Sequence, residues 1–316
     1  MTTPLASSAS ASATAPLPPS PTSSHAAALL AMPPRSQVAL QLRRLLRHRL
    51  AMVGATLLVV VALGALLAPW LAPYAFDEQN LDYIRVAPNG QFLLGTDSLG
   101  RDIFSRLLYG ARIALWLGVL VVAIEVAIGV PLGMIAGYFR GQLDIAIMTL
   151  TDMVWAFPPL VLALGVVAAL GPNLINAVIA IALVSWVPFT RITRAKVLAL
   201  RQQEFVQASE AIGSSTAYIL RRHILPNLVP TNLVLVTLTL PSALLTATAL
   251  SFLGFGVQPP IPEWGSMLNE GRPYLQEAPW ISTFPGLGIL LTVVGFNLLG
   301  DGVRDIFDPK QKDNQA

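Results

Sequence analysis

The sequence predicts an all-α, polytopic membrane protein with six transmembrane helices, and three observations predict it. Only 12% of the 316 residues are charged and 54% are hydrophobic, with a mean hydropathy of +0.64. A soluble domain carries about 25% charged residues. The chain also holds several uncharged or nearly uncharged runs, each at or beyond the roughly 20 residues a helix needs to cross a bilayer. Lys and Arg fall unevenly in the segments between those runs.

The runs give the spans in order. Leu50–Phe76 carries no charge, Ile113–Phe139 carries Glu125 alone, and Ile145–Thr190 carries Asp152 alone. Ile224–Pro262 and Ala278–Gly300 carry none. The third run is too long for one crossing and contains Gly171-Pro172-Asn173, a strong breaker triplet. Split there, it makes two helices joined by a tight turn, and the count becomes six. With the N-terminus inside, the outer segments hold Arg85, Arg101, Arg106, Arg112 and Arg272, and the inner segments hold the other 15 of the 20 basic residues. Basic residues favour the cytoplasmic side, so both termini are expected there. The run Arg43–Arg49 abuts the first span and reads as a topology-setting anchor.

Residues 1–34 are almost all Ala, Ser, Thr and Pro, with no charge before Arg35. They read as a disordered tail or an over-long gene start, because such a composition cannot bury a core. The expected division is this tail, an anchor span with its outer segment over 35–110, a core over 111–305 and an inner tail over 306–316.

Several chemistries are excluded. There is no Cys, and the three histidines, His25, His48 and His223, lie far apart. No disulfide, thiolate site, metal cluster or nucleophile–base pair can be assembled from the sequence pattern, so no catalytic residue and no metal ligand is assigned. A phosphate-binding loop needs Gly-x-x-x-x-Gly-Lys-Ser/Thr, and Lys196, Lys310 and Lys312 lie in no such context. The net charge of +3 points to no nucleic acid.

Gly129, Gly133 and Gly137 recur every fourth residue in the second span and read as a helix-packing stripe. Pro131 suggests a kink beside them. Glu125 and Asp152 are the acids inside the spans and should face protein or water. Glu125 reads as path lining or as a buried, hydrogen-bonded or protonated acid; Asp152 reads first as structural. The long inner segment Arg191–His223 carries the most local information. Phe205, Val206, Ala208, Ser209, Ala211 and Ile212 make a half-apolar helix face that Gly213 ends. Ser214 and Ser215 are candidate caps for a second short helix, and Leu225-Pro226 opens the next span. Such a helix–Gly–helix element either projects towards a partner or lies on the lipid headgroups. In the outer segments, Leu93–Arg112 reads as an amphipathic surface helix through Ile103, Phe104, Leu107 and Leu108. Glu263, Trp264, Tyr274 and Trp280 read as interfacial anchors.

The inner element resembles the cytoplasmic signature of ABC importer permeases, with Gln207-Ala208-Ser209 at the Glu-Ala-Ala positions, then Glu210, Gly213 and Leu225-Pro226. Gln207 and His223 depart from the usual acid and Ile. Three further stretches resemble the C-type subunit of the dipeptide/oligopeptide/nickel importer family. They are Leu93–Arg112, Ala249–Pro260 with Glu263–Leu268, and Phe296–Asp305. The resemblance covers about Leu40–Pro309 and implies the type I ABC importer permease fold. It further implies a homologous second permease, two ATP-binding subunits that carry ATP and Mg, an extracytoplasmic solute-binding protein, and a bacterial inner-membrane location within lipid. Gln207, Ala208, Ser209, Glu210, Gly213, Leu225 and Pro226 would form the ATPase-coupling element, within a coupling loop over 191–223. No cofactor is expected on this chain. The substrate expected is a di- or oligopeptide or a related small solute, and an ion-coupled secondary transporter is the alternative.

Overall fold

A computed structural model describes residues 45–307 of the protein. The expected tail over 1–34, part of the basic anchor, and Lys310 and Lys312 lie outside the described residues. Eleven helices are used below. They are α1 (Arg49–Leu66), α2 (Ile103–Phe139), α3 (Gly141–Trp155), α4 (Pro159–Leu170), α5 (Leu174–Ser185) and α6 (Val187–Leu200). The rest are α7 (Glu204–Ala211), α8 (Thr216–Ile219), α9 (Leu225–Phe252), α10 (Trp264–Gly271) and α11 (Trp280–Phe307). Among the described residues the one β feature is a bridge between Thr96 and Asp102. Helix is what lipid demands, because each backbone polar group must be satisfied within its own segment.

Five helical segments are long and apolar enough to cross a membrane, and the bent pair α3–α4 makes a sixth. Their limits differ from the sequence expectation in four places. First, the third span is itself broken: α3 and α4 meet at 87°. Pro158-Pro159 follows Phe157 there, and a proline drives its predecessor out of the helical region. The surrounding apolar run hid this second breaker. Second, α2 is one helix of 37 residues from the outer segment through the bilayer, so Leu93–Arg112 holds no separate surface helix. Third, the fourth span continues to Leu200, placing Arg191 and Arg194 on a helix rather than in a loop. Fourth, the fifth span begins at Thr216 and ends at Phe252. Pro226 sits in the first turn of α9, as expected, but the span itself has already begun upstream. A π turn over Leu220–Ile224 precedes it, with Leu225 N–H donating to the Leu220 carbonyl, and this wider turn accommodates a residue with no N–H. The end at Phe252 is set by Gly254 at φ +86°, with Gly254 N–H bonded to Ser251 O and Phe255 N–H to Leu250 O.

The glycine stripe on α2 faces α6 at backbone distance. A Cβ at Gly129 would lie 2.5 Å from the Phe189 Cβ, at Gly133 2.6 Å from the Thr190 carbonyl oxygen, and at Gly137 2.8 Å from the Arg194 carbonyl oxygen. Thr190 Oγ1 adds a 3.1 Å bond to the Gly129 carbonyl. The pair α1–α11 is built the same way at Gly54, Gly295 and Gly302, which the sequence reading passed over. Three apolar cores result. One lies mid-bundle around Val121, Ile181, Phe189 and Leu250. One lies at the start of α2 around Ile103, Trp264 and Ile281. One lies at the end of α2 around Tyr138, Val197, Val206 and Ile224.

Candidate functional site

Four regions bring polar groups together. The first is the hairpin between α6 and α9. Helix α7 ends in a Schellman motif: Ser214 N–H bonds to Ser209 O at 3.1 Å and Gly213 N–H to Glu210 O at 3.0 Å, with Gly213 at φ +81°. Of the two candidate caps, Ser215 serves α8, accepting from Tyr218 N–H at 3.3 Å. The underside of the hairpin is core: Val206, Ser209, Ile219 and Ile224 are buried. Its outer side is open and apolar. Ile212 is 82% exposed, and with Phe205, Ala208 and Tyr218 it borders a hollow of about 710 Å³. Gln207 is exposed and its Nε2 donates to the Gln202 carbonyl at 3.3 Å. Glu210 accepts from Tyr138 OH at 3.1 Å and lies 3.5 Å from Arg201 Nε. Arg201 Nη1 in turn donates to the Tyr138 carbonyl at 2.7 Å. Tyr138 and Arg201, absent from the sequence expectation, thus fasten α7 to the end of α2. Leu225 and Pro226 are exposed on the next helix.

The second region is where α3 and α6 meet. Asp152 pairs with Arg191 at 2.5 Å while remaining 69% exposed, so it is a peripheral ion pair and not a buried acid. Arg191 also stacks over Trp155 at 4.5 Å. Asp144, the residue immediately before the expected span, makes a two-pronged pair with Arg194, whose Nη2 donates to Oδ2 at 2.6 Å.

The third region is a partly open cavity of about 280 Å³, with Trp155 47% exposed at its rim. Glu125, 2% exposed on α2, reaches it together with Trp155 and Pro159 at the α3–α4 bend, Ser185 and Pro188 at the α5–α6 junction, and Thr239, Ser242 and Thr246 of α9. Both helix breaks border this one cavity, as expected of irregular backbone at membrane depth.

The fourth region, at the start of α2, carries structure that the sequence reading took for surface. Arg106 is 1% exposed; its Nη1 is bonded to Asp97 and lies 2.7 Å from Glu270 Oε2. Arg101 lies 2.7 Å from Asp97 and 2.6 Å from Glu270. Asp102 caps α2, accepting from Ser105 N–H at 2.8 Å. Trp264, 2% exposed, is no interfacial anchor: it fills the space opposite Gly110 and donates to the Leu107 carbonyl at 3.1 Å. Glu263 is fully buried and caps α10 through Ser266 N–H at 3.0 Å. Burial pushes its carboxyl above the ordinary range, partly offset by the Gly265 and Ser266 N–H groups and the Ser251 hydroxyl.

A bundle with bilayer-length helices, a polar-lined cavity and an open apolar hairpin is the architecture of a membrane transport component. The chain belongs to the binding-protein-dependent transport system inner membrane component family, whose model matches residues 129–313. The N-terminal TM domain of oligopeptide transport permease C matches residues 36–88. The chain is 44% identical over 270 residues to the dipeptide transport system permease protein DppC of Alkalihalophilus pseudofirmus, covering 85% of this chain and 89% of that protein. It is 47% identical over 274 residues to the glutathione transport system permease protein GsiD of Escherichia coli O157:H7, with the same coverage. It is 45% identical over 268 residues to the di/tripeptide transport system permease protein DppC of Pseudomonas aeruginosa, covering 83% and 88%. Among solved structures, an inward-facing MetNI methionine ABC transporter aligns with 20% identity and a TM-score of 0.48 over 63% of this chain and 95% of that one. The protein is therefore a multi-pass inner-membrane permease subunit of an ABC importer, a membrane component and not an enzyme.

Proposed function

We propose that this chain is one of two homologous permeases that together enclose a path for di- or oligopeptides or glutathione. An extracytoplasmic binding protein delivers the solute, and two ATP-binding subunits, which hold ATP and Mg, drive the cycle. Both termini lie in the cytoplasm. The anchor and outer segment span 35–110, with the boundary inside α2, and the core spans 111–305. The permeases named for dipeptide, di/tripeptide and glutathione transport support the substrate class, since each is aligned over most of its length.

The observation that carries the energy-coupling part is the α7 hairpin. Its turn is held from beneath by a buried core and the Tyr138–Arg201–Glu210 tether, while Phe205, Ile212 and Tyr218 stay open above. An apolar surface on a stiff support invites a partner. On this reading Gln207, Ala208, Ser209, Glu210 and Gly213 form the coupling element. It passes ATPase motion through Leu225-Pro226 into α9 and through Tyr138 into α2. Glu125 lines the path, and Asp152 is a structural ion-pair partner of Arg191.

The test is co-expression with the neighbouring subunits and reconstitution into liposomes. Dipeptide uptake should require both ATP and the binding protein, and the two ATPase subunits should copurify. Uptake driven by a sodium or proton gradient without ATP would overturn the reading.

A further inference from the structure

We infer that the intramembrane cavity at Glu125 is a subsite for a primary ammonium group, the free amino terminus of a peptide in transit; the inference rests on the peptide-permease reading above. Glu125 sits fourteen residues before the end of α2, about 21 Å along the helix, which is deep in the bilayer. A carboxyl at that depth is costly unless it serves a polar path. The rest of the lining settles which polarity the cavity accepts. No Lys, Arg or His borders it. Arg191, stacked on the lining residue Trp155, is paired with Asp152.

The α9 hydroxyls add to this bias. Thr239 donates its proton to the Val236 carbonyl at 3.2 Å, Ser242 to the Thr239 carbonyl at 2.8 Å, and Thr246 to the Ser242 carbonyl at 2.8 Å. With their protons used inside their own helix, these oxygens can only accept. Glu125 and the α9 side of the cavity thus present one carboxyl and a ladder of acceptors, and the donor-bearing side chains Trp155 and Ser185 lie on the remaining wall. An ammonium group, three donors and no acceptor, is the complement of that set. A peptide and glutathione both carry one at the α-carbon, whereas their carboxylates would meet no Lys, Arg or His in the lining.

Two measurements test this. The chain has no cysteine, so Ser242→Cys places a single thiol in the cavity wall. In the detergent-solubilised complex without binding protein, Ala-Ala should slow maleimide labelling of that thiol at least fivefold. N-acetyl-Ala-Ala and sodium chloride at equal concentration should not, and adding Glu125→Gln should abolish the protection. Equal protection by the acetylated peptide, protection by sodium, or none at all would overturn the subsite. In proteoliposomes with binding protein, Glu125→Gln should lower Ala-Ala uptake at least tenfold, with Glu125→Asp intermediate at equal amounts of assembled complex. Uptake by Glu125→Gln within twofold of wild type would also overturn it. Wild-type vesicles that import no Ala-Ala would instead overturn the peptide substrate class, leaving the labelling result to decide the subsite by itself.

Discussion

A side chain added at Gly213 meets nothing within 4 Å, yet the backbone there, at φ +81°, is one that L residues resist. That conformation costs a non-glycine residue about 1–2 kcal/mol. The strain would unseat the α7 end and its two Schellman bonds without touching the spans. Gly213→Val should leave the assembled complex detectable and abolish substrate-stimulated ATP turnover; normal uptake by the variant would remove the turn from the coupling route. Glu263 offers a test by pH. Its carboxyl is held above the ordinary value near 4.5, so the folded state keeps its proton where the unfolded chain has already lost it. Stability should therefore fall as pH rises from the ordinary value through the raised one, and Glu263→Gln should flatten that fall. Melting temperatures in detergent from about pH 4 to about pH 9 check the slope. A local signal announced Gly213, because its turn chemistry is written in adjacent residues. Nothing near Glu263 in sequence announced its burial, because Glu-Trp ahead of a short helix reads equally well at a membrane surface.

Among elements, the α2–α6 contact is the most demanding. Gly133→Leu would drive a side chain into the Thr190 carbonyl and the Thr193 Cβ, 2.6 and 2.7 Å from where its first carbon must go. Overpacking costs about 1–3 kcal/mol in soluble cores, and backbone atoms yield less than side chains do. The expected outcome is loss of the protein from the membrane fraction, while Gly165→Ala, with open space around it, accumulates normally. The start of α2 is joined to α10 through charge. Removing Arg106 would strand Asp97 and Glu270 together around Arg101 alone. Breaking a buried pair costs about 3–5 kcal/mol, so Arg106→Ala should lower the melting temperature of the complex clearly, and Arg85→Ala, at an exposed pair with Glu277, should scarcely change it. The Gly129 stripe was readable because a four-residue period is a property of one helix. Its partner was not, since a stripe of glycines does not say which helix arrives.

For the whole molecule, orientation is the property on which the mechanism depends. With no native cysteine, single substitutions at Ser214 and at Gln276 report opposite faces. A membrane-impermeant maleimide added to intact cells should label Gln276→Cys and spare Ser214→Cys until the membrane is opened. The reverse pattern would put the α7 hairpin on the wrong side for any ATPase. Composition, run length, the Gly171-Pro172-Asn173 turn and the charge asymmetry determined the membrane class, the number of crossings and the expected sidedness. Each is additive along the chain and is felt locally by lipid or by the backbone. The tertiary structure alone decided that Arg106 lies against Glu270, 164 residues away, and that two separate helix breaks open onto the cavity at Glu125. It also decided that Glu210 is tied down by Tyr138 rather than left for a partner. Those outcomes depend on which helix faces meet, and in lipid, where every face is apolar, hydropathy carries no record of that choice.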